Sequence, residues 1–385
     1  MLLTSSLLSA SVIYIISASP LGSSDTPQDA DSSGLSRLYS AKPSKWSIPK
    51  SFFDDAHTDD EDQIYNIDNE DGDVFDGVMR DDPDQLNIYH TPDHIVDTKR
   101  AVDLTLTHTF SIYMKYASSI YCENVSLTRK WQCGPFCQGE RSDSKVLSVL
   151  YDQASRKHGA AVGAIVLHKQ SKSIVIIFRG TASSHEWRTN LNFAKAKLSP
   201  LLFTGSVGTI PPNVMLHSGF QKAYLKIQEQ LRFSLNVIVS KFPQYKIIVT
   251  GHSLGGALAS IAIMDIALHH KKHMAAQMHL YTYGMPRTGN GAWANWVNKV
   301  GFGSVYRIVR TNDPVPHLPV NLIGYKHFGT GVGIDQNSVT VKCRPTGDAG
   351  ETSDCDHLSK RSASIMAHTQ GYYYPSGCQL RNTEL

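Results

Sequence analysis

The segment from Val249 to Ala257, Val-Thr-Gly-His-Ser-Leu-Gly-Gly-Ala, constrains the fold of this chain more than any other. A β-branched run from Tyr245 to Thr250 leads into it, and a long apolar stretch from Leu254 to His269 follows. The first reads as a strand and the second as a buried helix. A chain that passes from strand to helix so abruptly must cross itself closely. The glycines around Ser253 remove the Cβ atoms that would collide there. Ser253 is thereby lifted above a sheet edge, with its hydroxyl facing the helix N-terminus. That end of the helix offers backbone N–H groups and a favourable dipole to a developing oxyanion. Ser253 is therefore a candidate nucleophile.

The surrounding pattern alternates in the same way. Ala161–His168 and Ser173–Arg179 read as buried strands, and Met278–Tyr283 and Ser304–Arg310 as further strands. Leu104–Tyr121 has helical spacing, and Trp293–Val300 suggests a helix. Phe220, Tyr224, Ile227, Leu231 and Leu235 predict one amphipathic helix over Gly219–Val239. Strand–helix repetition of this kind implies an α/β fold with a mainly parallel central sheet and helices on both faces.

This pattern starts only after residue 100, and charge marks the same boundary. Residues 1–100 carry 19 acidic against 7 basic side chains, a net of −12. Residues 101–385 carry 15 against 30, a net of +15, so the whole-chain value of +3 conceals two opposite parts. No charge precedes Asp25, and the apolar stretch Leu7–Ile16 is followed by small residues. Residues 1–24 thus read as a signal peptide, too short to span a bilayer comfortably. Residues 25–100 are rich in Asp, Ser and Pro, with a dense acidic block from Asp54 to Asp84. They read as a low-structure pro-segment cut after Lys99-Arg100, with an ordinary acidic linker as the alternative. Residues 101–385 suffice for one large single-core domain. These features argue against collagen, coiled-coil and multi-pass membrane classes.

All six cysteines lie beyond residue 100. Their even number suits three disulfides, although spacing alone leaves the pairing open. No Cys spacing suggests a zinc site, and no metal or cofactor is expected. Asn124-Val125-Ser126 is an N-glycosylation sequon, meaningful if the chain is secreted.

A Ser nucleophile needs a base and a group to orient it, in the order Ser, Asp or Glu, His on α/β-hydrolase folds. Asp313 follows a strand and suits the acid, the plain alternative being a turn-capping Asp before Pro. His317, His327, His357 and His368 follow it.

Five blocks carry a family resemblance. They are Phe178-Arg179-Gly180-Thr181, His217-Ser218-Gly219-Phe220, the Gly251–Ala257 elbow, Tyr281-Thr282-Tyr283-Gly284-Met285-Pro286-Arg287 and Thr311-Asn312-Asp313-Pro314-Val315-Pro316. In this order the chain resembles the secreted fungal class 3 lipases of the Rhizomucor and Thermomyces type. The resemblance implies an α/β-hydrolase fold and a secreted serine hydrolase of lipid esters, most of all a triacylglycerol lipase working through an acyl-enzyme. It implies Ser253 as nucleophile and Asp313 as orienting acid. In the family the base lies about ten residues before the last Cys and ahead of an aromatic pair. His368 fits, with Tyr372-Tyr373 and Cys378 following, although Ala367-His368-Thr369 replaces the family's Asp-His-Leu. His357, in Asp356-His357-Leu358, is the alternative.

The backbone N–H of Leu254, the residue after the nucleophile, would form one side of the oxyanion hole, and the resemblance implies Thr181 as the second donor. The resemblance implies a lid running through His185, Glu186, Trp187, Arg188, Thr189 and Asn190. This lid is more polar than a strongly lipid-seeking one, which leaves a feruloyl- or phospholipase A1-type esterase as the alternative activity. A catalytically silent binding protein on the same fold is the rival of a different class. The resemblance further pairs Cys122 with Cys378, Cys133 with Cys137 and Cys343 with Cys355. The expected partner is a lipid ester at an oil–water or membrane interface, with no nucleic acid and no obligate protein partner.

Overall fold

The computed structural model of the chain describes residues 101–152, 162–180, 193–204, 209–270, 275–335, 337–346, 350–352, 355 and 363–378. The expected signal and acidic segments, with Lys99 and Arg100, lie outside the described residues.

Helix α1 spans Leu104–Ser119 and is capped by Asp103, whose Oδ1 accepts the Leu106 N–H at 2.9 Å. The one-turn helix α2, Glu123–Ser126, follows. Strands β1 (Ser144–Tyr151), β2 (Val162–His168) and β3 (Ser173–Phe178) pair antiparallel in sequence order. Then come β4 (Lys195–Lys197), β5 (Met215–His217), α3 (Ser218–Leu225), α4 (Gln228–Lys241), β6 (Lys246–His252) and α5 (Leu254–His269). The remaining elements are β7 (Met278–Tyr283), β8 (Gly289–Asn290), α6 (Gly291–Lys299), β9 (Ser304–Arg310), β10 (Tyr325–Lys326), β11 (Thr330–Ile334), β12 (Thr340–Lys342) and α7 (Ile365–Gln370).

The large sheet has the order β1-β2-β3-β6-β7-β9-β11-β12. Its centre, β3 to β11, is parallel, and β1, β2 and β12 add antiparallel edges. Successive side chains of a strand point to opposite faces. Ile174, Ile176 and Phe178 of β3 enter one core, with Ile247 and Val249 of β6. Val175, Ile177 and Ile248 enter the other. Covered on both faces, these strands read as unbroken apolar runs. The first core also takes residues of α3, α4, α5 and α6, and the second takes Phe110, Met114 and Tyr116 of α1. Helix α5 is buried on every side from Gly255 to Ile266, which explains why its sequence has no polar stripe.

The single helix expected over Gly219–Val239 is two helices, interrupted at Lys226 and Ile227. Neither Gly nor Pro breaks it. Tyr224 donates its hydroxyl to Asp265 Oδ2 at 2.7 Å, and Gln228 donates to the same oxygen and to the Leu202 carbonyl. The break lets side chains from both helices converge on one buried carboxylate, which Arg232 also binds. A second, four-stranded antiparallel sheet, β10-β8-β5-β4, was not foreseen from the sequence. The six cysteines pair as Cys122–Cys378, Cys133–Cys137 and Cys343–Cys355. Among the described residues no helix is long and apolar enough to cross a membrane.

Candidate active site

Ser253 sits between β6 and α5 with φ 58° and ψ −128°, a backbone conformation that costs a non-glycine residue about 1–3 kcal/mol. The crossing beneath it is too tight for side chains. A Cβ on Gly255 would stand 2.1 Å from the Phe178 carbonyl oxygen, and one on Gly251 would stand 2.4 Å from the Gly255 backbone. The Ser253 N–H is fixed by the Tyr283 carbonyl at 2.9 Å. Leu254 opens α5, so its N–H belongs to the helix's first turn, where donors face outward.

His368 lies on α7, and its Nδ1 stands 2.7 Å from Asp313 Oδ2. Asp313 is fully buried in the loop after β9. Its Oδ1 accepts the Val315 N–H at 2.8 Å, and its Oδ2 also accepts the Tyr372 hydroxyl at 2.5 Å. Burial, and then the Asp313 charge, hold the Tyr372 phenol well above its ordinary pKa, so it remains a donor. The Arg310 N–H, donated to the Tyr372 oxygen at 3.0 Å, orients that phenol. Space for the pair comes from Gly284, at φ +58°, just beyond β7. A Cβ there would lie 2.8 Å from Asp313 Oδ2 and 2.9 Å from His368 Nδ1.

His252 links the candidate nucleophile to this cluster. It precedes Ser253, and its Nε2–H donates to the His368 carbonyl at 2.8 Å. The two imidazoles have centroids 4.4 Å apart. Burial first, and the neighbouring His368 second, hold the His252 pKa well below the ordinary range. His252 is therefore neutral, with its one N–H committed to the backbone of His368.

The loop after Asp313 is clamped from the connection between β7 and β8. Arg287 donates Nη1 to the carbonyls of His317 and Pro319 at 2.7 and 3.1 Å, while its Nε and Nη2 each lie 2.8 Å from the Glu351 carboxylate. His327 is buried and reaches the Pro316 carbonyl at 2.7 Å through Nε2. The structure thus places His317 in the loop and His327 after β10, bonded to that loop, and puts His368 on Asp313.

Thr181, the lid residues His185, Glu186, Trp187, Arg188, Thr189 and Asn190, and the alternative base His357 lie outside the described residues. The approach to Thr181 is defined as far as Gly180, whose N–H donates to the Tyr121 hydroxyl at 3.1 Å. Asn124 lies half-buried in α2, its carbonyl accepting the Thr128 hydroxyl at 2.8 Å. Sequence reasoning missed the parts played by His252, Gly284, Arg287, Tyr372 and Tyr121. The first three stand inside the quoted blocks and Tyr372 in the aromatic pair, so the signal was present without a stated partner. Tyr121 lies in no block.

A serine on a strained turn, beside a helix N-terminus and an Asp–His pair, is equipped for acyl transfer. The family model described as Lipase (class 3) matches residues 175–322. A lipase of Rhizomucor miehei is 30% identical over 294 residues, covering 74% of this chain and 75% of that protein. The secreted mono- and diacylglycerol lipase 1 of Fusarium solani is 32% identical over 241 residues, covering 61% and 66%. The solved native propeptide complex of the Rhizomucor miehei lipase superposes with a TM-score of 0.64 at 28% identity, covering 73% of this chain and 85% of that one. The family match runs from β3 through the elbow to the loop after β9, and the chain belongs to the class 3 lipase family of carboxylic ester hydrolases.

Proposed function

We propose that this chain is a secreted triacylglycerol lipase in which Ser253, His368 and Asp313 form the catalytic triad. The observation that carries the reading is the His368–Asp313 pair, seated on Gly284, with the His368 carbonyl held by His252, the residue beside Ser253. In this mechanism the Ser253 hydroxyl attacks the ester carbonyl and His368 takes its proton. Asp313 holds the imidazole orientation and stabilises its cation. The oxyanion faces the N–H groups of Leu254 and Thr181. His368 then protonates the leaving alcohol, and water, activated by the same base, releases the fatty acid.

Cutting after Arg100 would free the basic enzyme from the acidic segment, whose charge is −12 against +15. The proposed signal peptide, the Asn124 sequon and the three disulfides agree with export through an oxidising compartment. The peptide of residues 25–100 is expected to inhibit the processed enzyme at low salt and to lose its effect at high salt; no inhibition at low salt removes this role.

The activity is tested by comparing acid release from emulsified long-chain triacylglycerol with release from a dissolved short-chain ester. The expected result is a rate that jumps when substrate exceeds its solubility. Ser253→Ala is expected to lower both activities by at least about 10⁴-fold. Saturation on the dissolved ester without emulsion activity overturns the lipase reading in favour of an esterase.

A further inference from the structure

The loop that leaves Asp313 ends in an apolar tip. Val320, Leu322 and Ile323 are 45%, 95% and 43% exposed, and Leu322 is the most exposed large apolar side chain among the described residues. Isolated surface leucines are ordinary, but three apolar side chains on one short turn are a concentrated patch.

The turn is a braced structure. Asn321–Ile323 form a single 3-10 turn closed by Gly324 in the left-handed conformation, φ 82°. The Gly324 N–H donates to the Asn321 carbonyl at 2.8 Å. Behind it, Arg287 holds the Pro319 carbonyl, Lys195 Nζ donates to the Ile323 carbonyl, and the Tyr325 hydroxyl donates to the Phe193 carbonyl at 3.0 Å. Lys195 also stands over the Tyr325 ring, 5.1 Å from its centroid. The tip grows from the loop that carries Asp313, so it belongs to the edge of the molecule that holds the triad.

The charged side chains on the strands of the small sheet, beside the tip, are all basic. Lys195 and Lys197 share a face of the edge strand β4, and Lys326 lies in β10. The sequence has no Asp or Glu from Trp187 to Gln228, from Ile266 to Asn312, or from Pro314 to Ile334. All four strands of the small sheet fall within these stretches.

We propose that the Val320–Gly324 turn is an interfacial anchor for an anionic lipid surface. Leu322 and Ile323 enter the acyl boundary while Lys195 and Lys197 meet the headgroups, setting the triad edge against the substrate layer. This rests on the reading of the chain as a lipase.

The test uses the full chain with Ser253→Ala, so that the vesicles stay intact. Binding is measured by sedimentation with phosphatidylcholine vesicles, with and without phosphatidylglycerol. Leu322→Ser with Ile323→Ser is expected to weaken binding about tenfold or more. Lys197→Gln is expected to remove part of the preference for phosphatidylglycerol. In the active chain the double substitution leaves dissolved-ester turnover within about twofold. As a second measurement, Leu322→Cys adds the one free thiol to a domain whose six cysteines are all paired. An environment-sensitive fluorophore there is expected to shift to the blue on vesicles. The same label at Leu104→Cys, at the opposite end of α1 from Tyr121, is expected not to shift.

Unchanged vesicle binding by the double variant, or no blue shift at position 322, overturns the anchor. Equal binding with and without phosphatidylglycerol overturns its anionic preference. A parent chain that turns over the dissolved ester but no emulsified ester overturns the lipase reading instead, whatever position 322 reports.

Discussion

At the scale of the residue, Gly284 and Tyr372 do for this site what the three side chains of the proposed triad cannot do for themselves. A methyl group at Gly284 would press on both Asp313 and His368, at a backbone angle that disfavours alanine. Displacing a reacting group by about 1 Å can cost about a hundredfold in rate. Gly284→Ala is therefore expected to lower kcat on a dissolved ester about a hundredfold while circular dichroism stays native. Tyr372 supplies the acid with a hydrogen bond in addition to that of His368. A hydrogen bond to a buried charge contributes about 1.5–3 kcal/mol. Tyr372→Phe is expected to cut kcat about ten- to hundredfold with KM little changed. A shift in KM alone would deny that the phenol supports the acid.

At the scale of the element, helix α3 is begun by an unusual cap. His217 Nδ1 accepts the N–H groups of Gly219 and Phe220 at 3.1 and 3.4 Å, and its ring stacks on Phe220. Burial pushes its pKa down to about 4. As pH falls through 6.5 the unfolded chain takes up a proton that the folded chain refuses until about 4. Stability therefore falls with pH across that window, by up to about 1.4 kcal/mol per unit from this group. His217→Asn, which can still cap, is expected to flatten the decline, measured as the urea midpoint at pH 7 and pH 5; an unchanged slope refutes it. The elements legible in the sequence were those with enough residues to show a period. Met278–Tyr283, Ser304–Arg310 and Leu254–His269 were read with the ends they have. Strands of two or three residues, such as Lys195–Lys197 and Gly289–Asn290, have no period to read, so the small sheet was invisible. The interruption between α3 and α4 depends on Asp265, distant in sequence, and left no local mark. Candidate nucleophile and acid were legible because their chemistry restricts residue type and order, whereas order alone left four histidines for the base and only the family resemblance singled out His368. Their supports were not, because a phenol or an imidazole acquires a task only when a partner is set beside it.

At the scale of the whole molecule, the Cys122–Cys378 bond joins residues 256 positions apart. In the chain-entropy model a closure of that length stabilises by about 5 kcal/mol. Cys122→Ser with Cys378→Ser is expected to lower the urea midpoint accordingly, and a midpoint shift worth less than about 1 kcal/mol would refute it. The same bond sits between Tyr121, which holds the Gly180 N–H, and the segment of Tyr372, which holds Asp313. It also gives the domain a closed covalent outline. Ser253, Asp313 and His368 all lie inside one ring of polypeptide and sulfur. A protease that cuts this ring once produces two pieces that remain a single molecule. On a non-reducing gel the nicked enzyme keeps its full mass, and only a second cut or a reductant lets a fragment leave. Under the proposed export, a first surface cleavage is an injury the chain can carry without coming apart.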